Sequence, residues 1–135
     1  MTEQTRILYD LMPFAQTLGF TVTGYEPGEV RARLDWAPHL CTAGGGLHGG
    51  VLMALADSTG GACAYLNLPA GAPGTTTVDS ATNFLRAVRD GFVESVSRPL
   101  HTGRTLIVVE TNLSDARGRL VARVTQTQLV LTGPG

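Results

Sequence analysis

From Val51 to Leu66 the chain carries a single charged side chain, Asp57, and the stretch is introduced by Leu47-His48-Gly49-Gly50. A helix over about Gly49 to Leu66 would be apolar on nearly every side, so the rest of the chain has to bury it. A lone carboxylate in such a helix is expensive unless it is hydrogen-bonded, neutral or held for chemistry. Two demands follow. The fold needs a layer that wraps one long helix, and Asp57 needs a reason to be there.

The flanking sequence supplies the wrapping layer. Residues 4 to 12 form an amphipathic pattern with Ile7, Leu8, Leu11 and Met12 on one side, and Pro13 interrupts it or opens a further short turn. Phe20 to Thr23 alternates like a strand, and Glu26-Pro27-Gly28-Glu29 reads as a turn. Val30, Ala32, Leu34 and Trp36 then alternate with Arg31, Arg33 and Asp35, the signature of a half-buried antiparallel strand. Beyond the helix, strands are expected over 75–85, 92–99, 104–114 and 119–131, with Asp115-Ala116-Arg117-Gly118 as a hairpin turn. We expect two strands before the helix and a four-strand meander after it. A curved antiparallel sheet wrapped around the helix is the compact solution, an α+β architecture.

The last strand breaks the pattern. Leu120, Ala122, Val124, Gln126, Gln128 and Val130 are apolar only in part, and the alternate set is polar through its middle. Neither face looks fully solvated, which suggests that another subunit covers part of the outer face.

With 135 residues the chain is one domain, 1–135, large enough for a core without staples. A charged fraction of 16% against 43% hydrophobic residues is low for an isolated soluble surface and favours an oligomer. All ten basic residues are arginine, and a net charge of -1 argues against a nucleic-acid partner. Cys41 and Cys63 show no metal-ligand or redox spacing; Cys63 is expected to be a small core residue. His39, His48 and His101 lack ligand spacing, so no metal and no cofactor are expected. The first residues do not resemble a leader, and the apolar helix is short for a membrane span and interrupted by Asp57, so a cytoplasmic location without a membrane partner is expected.

The chemistry centres on the helix. Asp57 shares its face with small residues, which leaves room for a ligand or for another element packed closely, and both readings stand. His48-Gly49-Gly50 at the helix start offers free backbone N–H groups that could steady an oxyanion or hold a phosphate. His48 could equally be a cap. His48 and Asp57 are nine positions apart, about 13.5 Å along a helix axis, too far to act together within one chain. A two-fold dimer would remove that obstacle.

Leu47-His48-Gly49-Gly50, six residues and then Asp57 resembles the motif of the hotdog-fold thioesterases. The resemblance is to the branch named for the phenylacetate-pathway enzyme, which includes human thioesterase superfamily member 2. It runs from about Phe14 to Leu131 and takes in Pro73-Gly74 before Thr75 to Asp79, Asn83 to Arg86, and Gly118 to Ala122. It implies a hotdog fold with a sheet of five to six strands around the central helix. It further implies sheets joined across a homodimer, dimers paired into a homotetramer, and acyl-CoA bound at the dimer interface. Asp57 matches the nucleophile or general base and Gly49 the N–H that polarises the thioester carbonyl. His48 matches the orienting histidine, and Thr77 the hydroxyl residue that places the attacking water. The chain departs from the branch at Thr42, where asparagine is common, and in a loop from His39 to His48 that is one residue longer.

The expected activity is hydrolysis of an aryl or medium-chain acyl-CoA to free acid and coenzyme A. The alternative is a non-catalytic acyl-CoA binding or regulatory protein, which the Thr42 departure motivates. Arg86, Arg89, Arg98 and Arg104 are the candidates for the coenzyme A phosphates, and each could equally be a plain surface arginine. Arg117 and Arg119, flanking the hairpin, are further candidates. Met53, Ala54, Tyr65 and the loop near Leu40 are expected to line the acyl pocket.

Overall fold

The computed structural model describes residues 1–133; residues 134 and 135 of the expected domain lie outside the described residues. Two short helices, α1 (Glu3–Leu11) and α2 (Pro13–Leu18), precede the hairpin of β1 (Thr21–Glu26) and β2 (Glu29–Asp35). A single 3-10 turn at Pro38–Leu40 leads to the long helix α3 (Gly49–Leu66), followed by β3 (Thr75–Phe84), β4 (Phe92–Thr102), β5 (Leu106–Asp115) and β6 (Leu120–Val130).

The helix α3 has the bounds its apolar run implies. His48, in extended conformation, caps it by accepting from Gly50 N–H on Nδ1 at 2.8 Å. Its underside, with Leu52, Leu55, Ala56, Thr59 and Cys63, is buried on the sheet. Burial pushes the Cys63 thiol up to about 11, as befits a small core residue.

One expectation about α3 fails. Burial on nearly all sides does not hold in the single chain: Gly50, Met53, Asp57 and Tyr65 form an open stripe at helical spacing, with Met53 41% and Tyr65 51% exposed. A near-uniform apolar composition cannot say which side is left for another molecule.

All six strands form one antiparallel sheet in the order β1-β2-β4-β5-β6-β3. The four-strand meander expected after α3 is therefore corrected. The meander is β4-β5-β6, and β3 crosses over to pair with β6 at the far edge, with Thr77 opposite Gln128 and Phe84 opposite Ala122. Alternation within a strand reports its faces but not its partner, so this long-range pairing leaves no local signal.

The sheet's inner face holds Val22, Val30, Ala32, Leu34, Val93, Ile107, Val109 and Val124 against α3. Its centre is polar. Thr59 on α3 bonds to Ser95 Oγ at 2.8 Å and accepts from Ser97 Oγ at 3.0 Å, and Ser97 in turn meets Thr111 Oγ1 at 2.6 Å. All four hydroxyl residues are fully buried, so these bonds replace the water they lost.

The outer face carries ion pairs, Arg31 with Glu29 and Glu94, and Arg123 with Glu110. At the sheet's end β3 is an open edge ten residues long, and Val78, Phe84 and Leu85 at or just past it are 57%, 51% and 58% exposed. A long edge strand with exposed apolar side chains at it is a feature that single-chain proteins tend to cover or pair.

Candidate active site

Asp57 lies midway along α3, where the helix crosses the β6–β3 edge. Its Oδ1 accepts a hydrogen bond from Gln126 Nε2 at 3.0 Å, and it belongs to no ion pair among the described residues. Desolvation raises its carboxyl above the ordinary value, while the Thr77 hydroxyl beside it acts the opposite way. Thr77 itself accepts from Gln128 Nε2 at 2.7 Å. The crossover of β3 to β6 is thus what brings Thr77 beside Asp57, twenty positions earlier in the chain.

Both residues open into a cleft of about 380 Å³, walled by Leu8, Leu11 and Met12 from the N-terminal helices and by Tyr25, Gly61 and Tyr65. No arginine or histidine among the described residues lines it. Tyr65 stands in the wall of this cleft. Met53 and Ala54 do not line this single-chain cleft, and no residue of the loop near Leu40 does either. The contribution of α1 has no counterpart in the sequence reading. Leu11 is 60% exposed because it forms the cleft wall rather than the core.

The open glycine on this face, Gly61, meets nothing that a Cβ would disturb, whereas its neighbour Gly60 is tightly constrained. A Cβ on Gly60 would sit 2.1 Å from Gln126 Oε1. Glycine here costs about 1 kcal/mol of helix propensity relative to alanine, and it is the price of fitting Gln126 beneath the helix.

At the helix start, His48 Nδ1 is occupied by Gly50 N–H, and His48 C=O accepts from Val51 and Leu52. His48 is therefore a helix cap in this structure. The Gly49 N–H, the first of the helix, has no acceptor among the described residues and lies beside a shallow depression lined by Phe84 and Arg86. A Cβ at Gly50 would fall 2.9 Å from His48 Nδ1, so glycine at this position permits the cap. Gly50→Ala is expected to dislodge His48 and destabilise the protein by about 1 kcal/mol, read as a lowered Tm in thermal unfolding.

The arginines divide by position. Arg86 and Arg89 follow β3 at the same end as the start of α3, are exposed and make no ion pair among the described residues. Arg98 is on the outer face with its guanidinium bound to Glu29, and Arg104 lies in the β4–β5 turn at the opposite end of the sheet. Arg119 is held by Asp115 at 2.8 Å. Thr42 is exposed in the loop before His48, its backbone closing a turn with Gly45 and Gly46.

The candidate groups are thus split in the single chain. Asp57 and Thr77 lie together, and the free Gly49 N–H lies eight residues back along α3, about 12 Å away by helical rise. No group of His, Cys, Asp and Glu among the described residues could hold a metal ion. No helix among them is long and apolar enough to cross a membrane.

A family model described as the thioesterase superfamily matches residues 44–122, a span that contains His48, Gly49, Asp57 and Thr77. The chain belongs to the thioesterase superfamily. This superfamily member is 34% identical over 114 residues to Rv1847 of Mycobacterium tuberculosis, a protein provisionally named an esterase, covering 83% of the chain and 81% of the relative. The solved structure of that relative superposes with a TM-score of 0.87 at 31% identity, covering 92% of this chain and all of the other.

The 1,4-dihydroxy-2-naphthoyl-CoA hydrolase of Escherichia coli is 33% identical over 85 residues, 63% of this chain and 62% of that protein. The PaaI protein of the phenylacetic acid degradation operon of Escherichia coli shares the fold, with a TM-score of 0.85 at 18% identity over 96% of this chain and 93% of that one. The hotdog architecture is thereby shown, and the thioesterase superfamily gives thioester hydrolysis as the general chemistry of this chain.

Proposed function

We propose that the protein hydrolyses an acyl-CoA thioester, with an aryl or medium-chain acyl group, to the free acid and coenzyme A. The observation that carries this reading is Asp57, a carboxylate with no cationic partner among the described residues, bound by one amide and set beside Thr77 at the wall of an apolar cleft. The kinship with a hydrolase named for a naphthoyl-CoA substrate supports the coenzyme A part. The walls of Leu8, Leu11, Met12 and Tyr65 suit an apolar acyl group.

In this reading two chains pair along β3 and the extended sheets continue into each other. Gly49 faces Phe84 near one end of β3, and Asp57 lies by Thr77 near the other. Antiparallel pairing about the middle of β3 carries the Gly49 N–H of one protomer toward Asp57 of its partner. Further pairing of dimers into a tetramer would cover part of the outer face.

The thioester carbonyl oxygen accepts from the Gly49 N–H at the positive end of α3. Asp57 takes a proton from a water held by Thr77, and the water oxygen adds to the carbonyl carbon. The tetrahedral intermediate collapses, the C–S bond breaks, and the proton on Asp57 passes to the departing sulfur. Direct attack by Asp57, with a mixed anhydride hydrolysed afterwards, uses the same groups. In this reading Arg86 and Arg89, exposed at the Gly49 end, bind phosphates of coenzyme A.

The test is turnover of benzoyl-CoA and of C4 to C12 acyl-CoA esters by the purified protein, followed as thiol release across pH. Hydrolysis is expected to rise with pH along an acid limb displaced upward from the ordinary aspartate value, because desolvation raises the Asp57 carboxyl and only its ionised form is a base. Stability runs the other way. A carboxyl raised by folding is protonated more in the folded chain, so Asp57 subtracts stability as pH climbs from its unfolded to its folded pKa. Tight calorimetric binding of these esters with no thiol release would replace this reading with the non-catalytic one.

A further inference from the structure

The inner face of β6 carries two glutamines where its neighbours are apolar. Gln126 is 0% and Gln128 2% exposed, two positions apart and side by side under α3 and β3. An amide buried this deeply is costly unless its groups are bonded, and an aliphatic residue would fill the space without that penalty. Their bonds account for their presence. Gln126 gives its Nε2 to Asp57 Oδ1 at 3.0 Å, and Gln128 gives its Nε2 to Thr77 Oγ1 at 2.7 Å.

Their orientations are fixed by their partners. Gln128 Oε1 accepts from Thr75 Oγ1 at 3.1 Å, so its amino group has to face Thr77. Thr77, already an acceptor there, is left with its own proton to give toward the carboxylate or a water in the cleft. Gln126 Oε1 has no partner among the described residues. Turning that amide over would aim its oxygen at a carboxylate, so the ionised form of Asp57 keeps the amino group pointed at it. A buried carbonyl left unpaired and a glycine at position 60 are both tolerated to keep that single bond.

We propose that Gln126 and Gln128 are a tandem of positioning residues. Gln126 fixes one oxygen of Asp57 and leaves the other for water, and Gln128 makes the Thr77 hydroxyl a donor. This rests on the reading of Asp57 as the catalytic carboxylate. The other polar groups lining the cleft with Asp57 are few. Besides Gln128 they are Thr75, Thr76 and Thr77 of β3, Tyr65 on α3 and Tyr25 on β1, with no charged side chain from α1 or α2. Asp79 on β3 pairs opposite Thr127, on the other side of the sheet from the two glutamines.

The test compares Gln126→Met, Gln128→Met and Gly60→Ala with wild type, using benzoyl-CoA and octanoyl-CoA as probes. For Gln126→Met, kcat is expected to fall on the order of 10- to 100-fold with KM within about twofold. Its acid limb should move to higher pH, because a donor to the charged form has gone. Gly60→Ala displaces the same amide and should reproduce that movement. Gln128→Met should lower kcat with a smaller movement of the limb.

A carboxyl carbon NMR titration of Asp57 in wild type and Gln126→Met needs no substrate, so it separates this inference from the proposed activity. A raised Asp57 midpoint in Gln126→Met supports the tandem even if neither ester is hydrolysed. An unchanged midpoint, or unchanged kcat and limb in a folded Gln126→Met, overturns it. If Gln126→Met does not fold, the titration of Gly60→Ala decides in the same terms.

Discussion

Asp57→Asn is expected to lower kcat by roughly 10³-fold or more, with the protein still folded and still able to bind the ester. The substitution preserves shape and removes only the capacity to take a proton or to attack. The introduced carboxamide could still receive the Gln126 amide through its own oxygen, so the contact at 3.0 Å need not be lost. Because the wild-type carboxylate has no cationic partner among the described residues, its neutralisation strands no buried charge. Stability should be unchanged or slightly improved above the pH where the wild-type group ionises. Thiol-release kinetics together with thermal unfolding measure both quantities. Retention of more than about a tenth of wild-type kcat would be incompatible with either role for Asp57.

Mixing two inactive variants is expected to restore activity. Gly49→Pro deletes a helix-start N–H that has no acceptor among the described residues, at the first helical position, where proline is well tolerated. The residue before it, His48, already has the extended backbone that precedes proline, and the Phe84 ring, 3.2 Å from a Cβ at this position, has to give by a few tenths of an ångström. Alone, this variant should lose about 10²- to 10³-fold in kcat.

Unfolded and refolded together with Asp57→Asn in equal amounts, half the dimers will be mixed. If each site combines Asp57 of one protomer with Gly49 of its partner, a mixed dimer has one intact site and one doubly damaged site. Recovery should approach about a quarter of wild-type activity. Sites contained within one chain would give no recovery, since each would still lack one group. The experiment therefore reads the geometry of the site through rates alone.

How far these groups are legible in the sequence varies with how local their cause is. The bounds of α3, the half-buried β2 and the 115–118 hairpin follow from neighbouring residues and are found as expected. Asp57 stands out because one charge in an apolar helix is costly and needs a reason, chemical or structural. His48 is ambiguous between cap and site in the sequence, and its bond to Gly50 shows the cap.

The place of β3 is illegible, because pairing with β6 depends on a long crossover that no periodicity encodes. The glutamines are visible in the sequence but their role is not. Gln126 and Gln128 make their face of β6 apolar only in part, and nothing in that pattern tells that their amides point inward to Asp57 and Thr77. A polar residue at an inward register beside a suspect carboxylate is the available signal. The lining by Leu11 and Met12 has none, since it arises from where the N-terminal helices dock.

The hydroxyl cluster of Thr59, Ser95, Ser97 and Thr111 has a mechanical consequence. Greasy contacts alone tolerate sliding, since one methyl group serves nearly as well as the next. Directional bonds do not. Thr59 is two residues beyond Asp57, so its attachment to two separate serines acts as a key that stops the rod from creeping along its axis or rolling on the strands beneath it. The acid is thereby indexed against its amide and hydroxyl neighbours by an anchorage that touches no substrate.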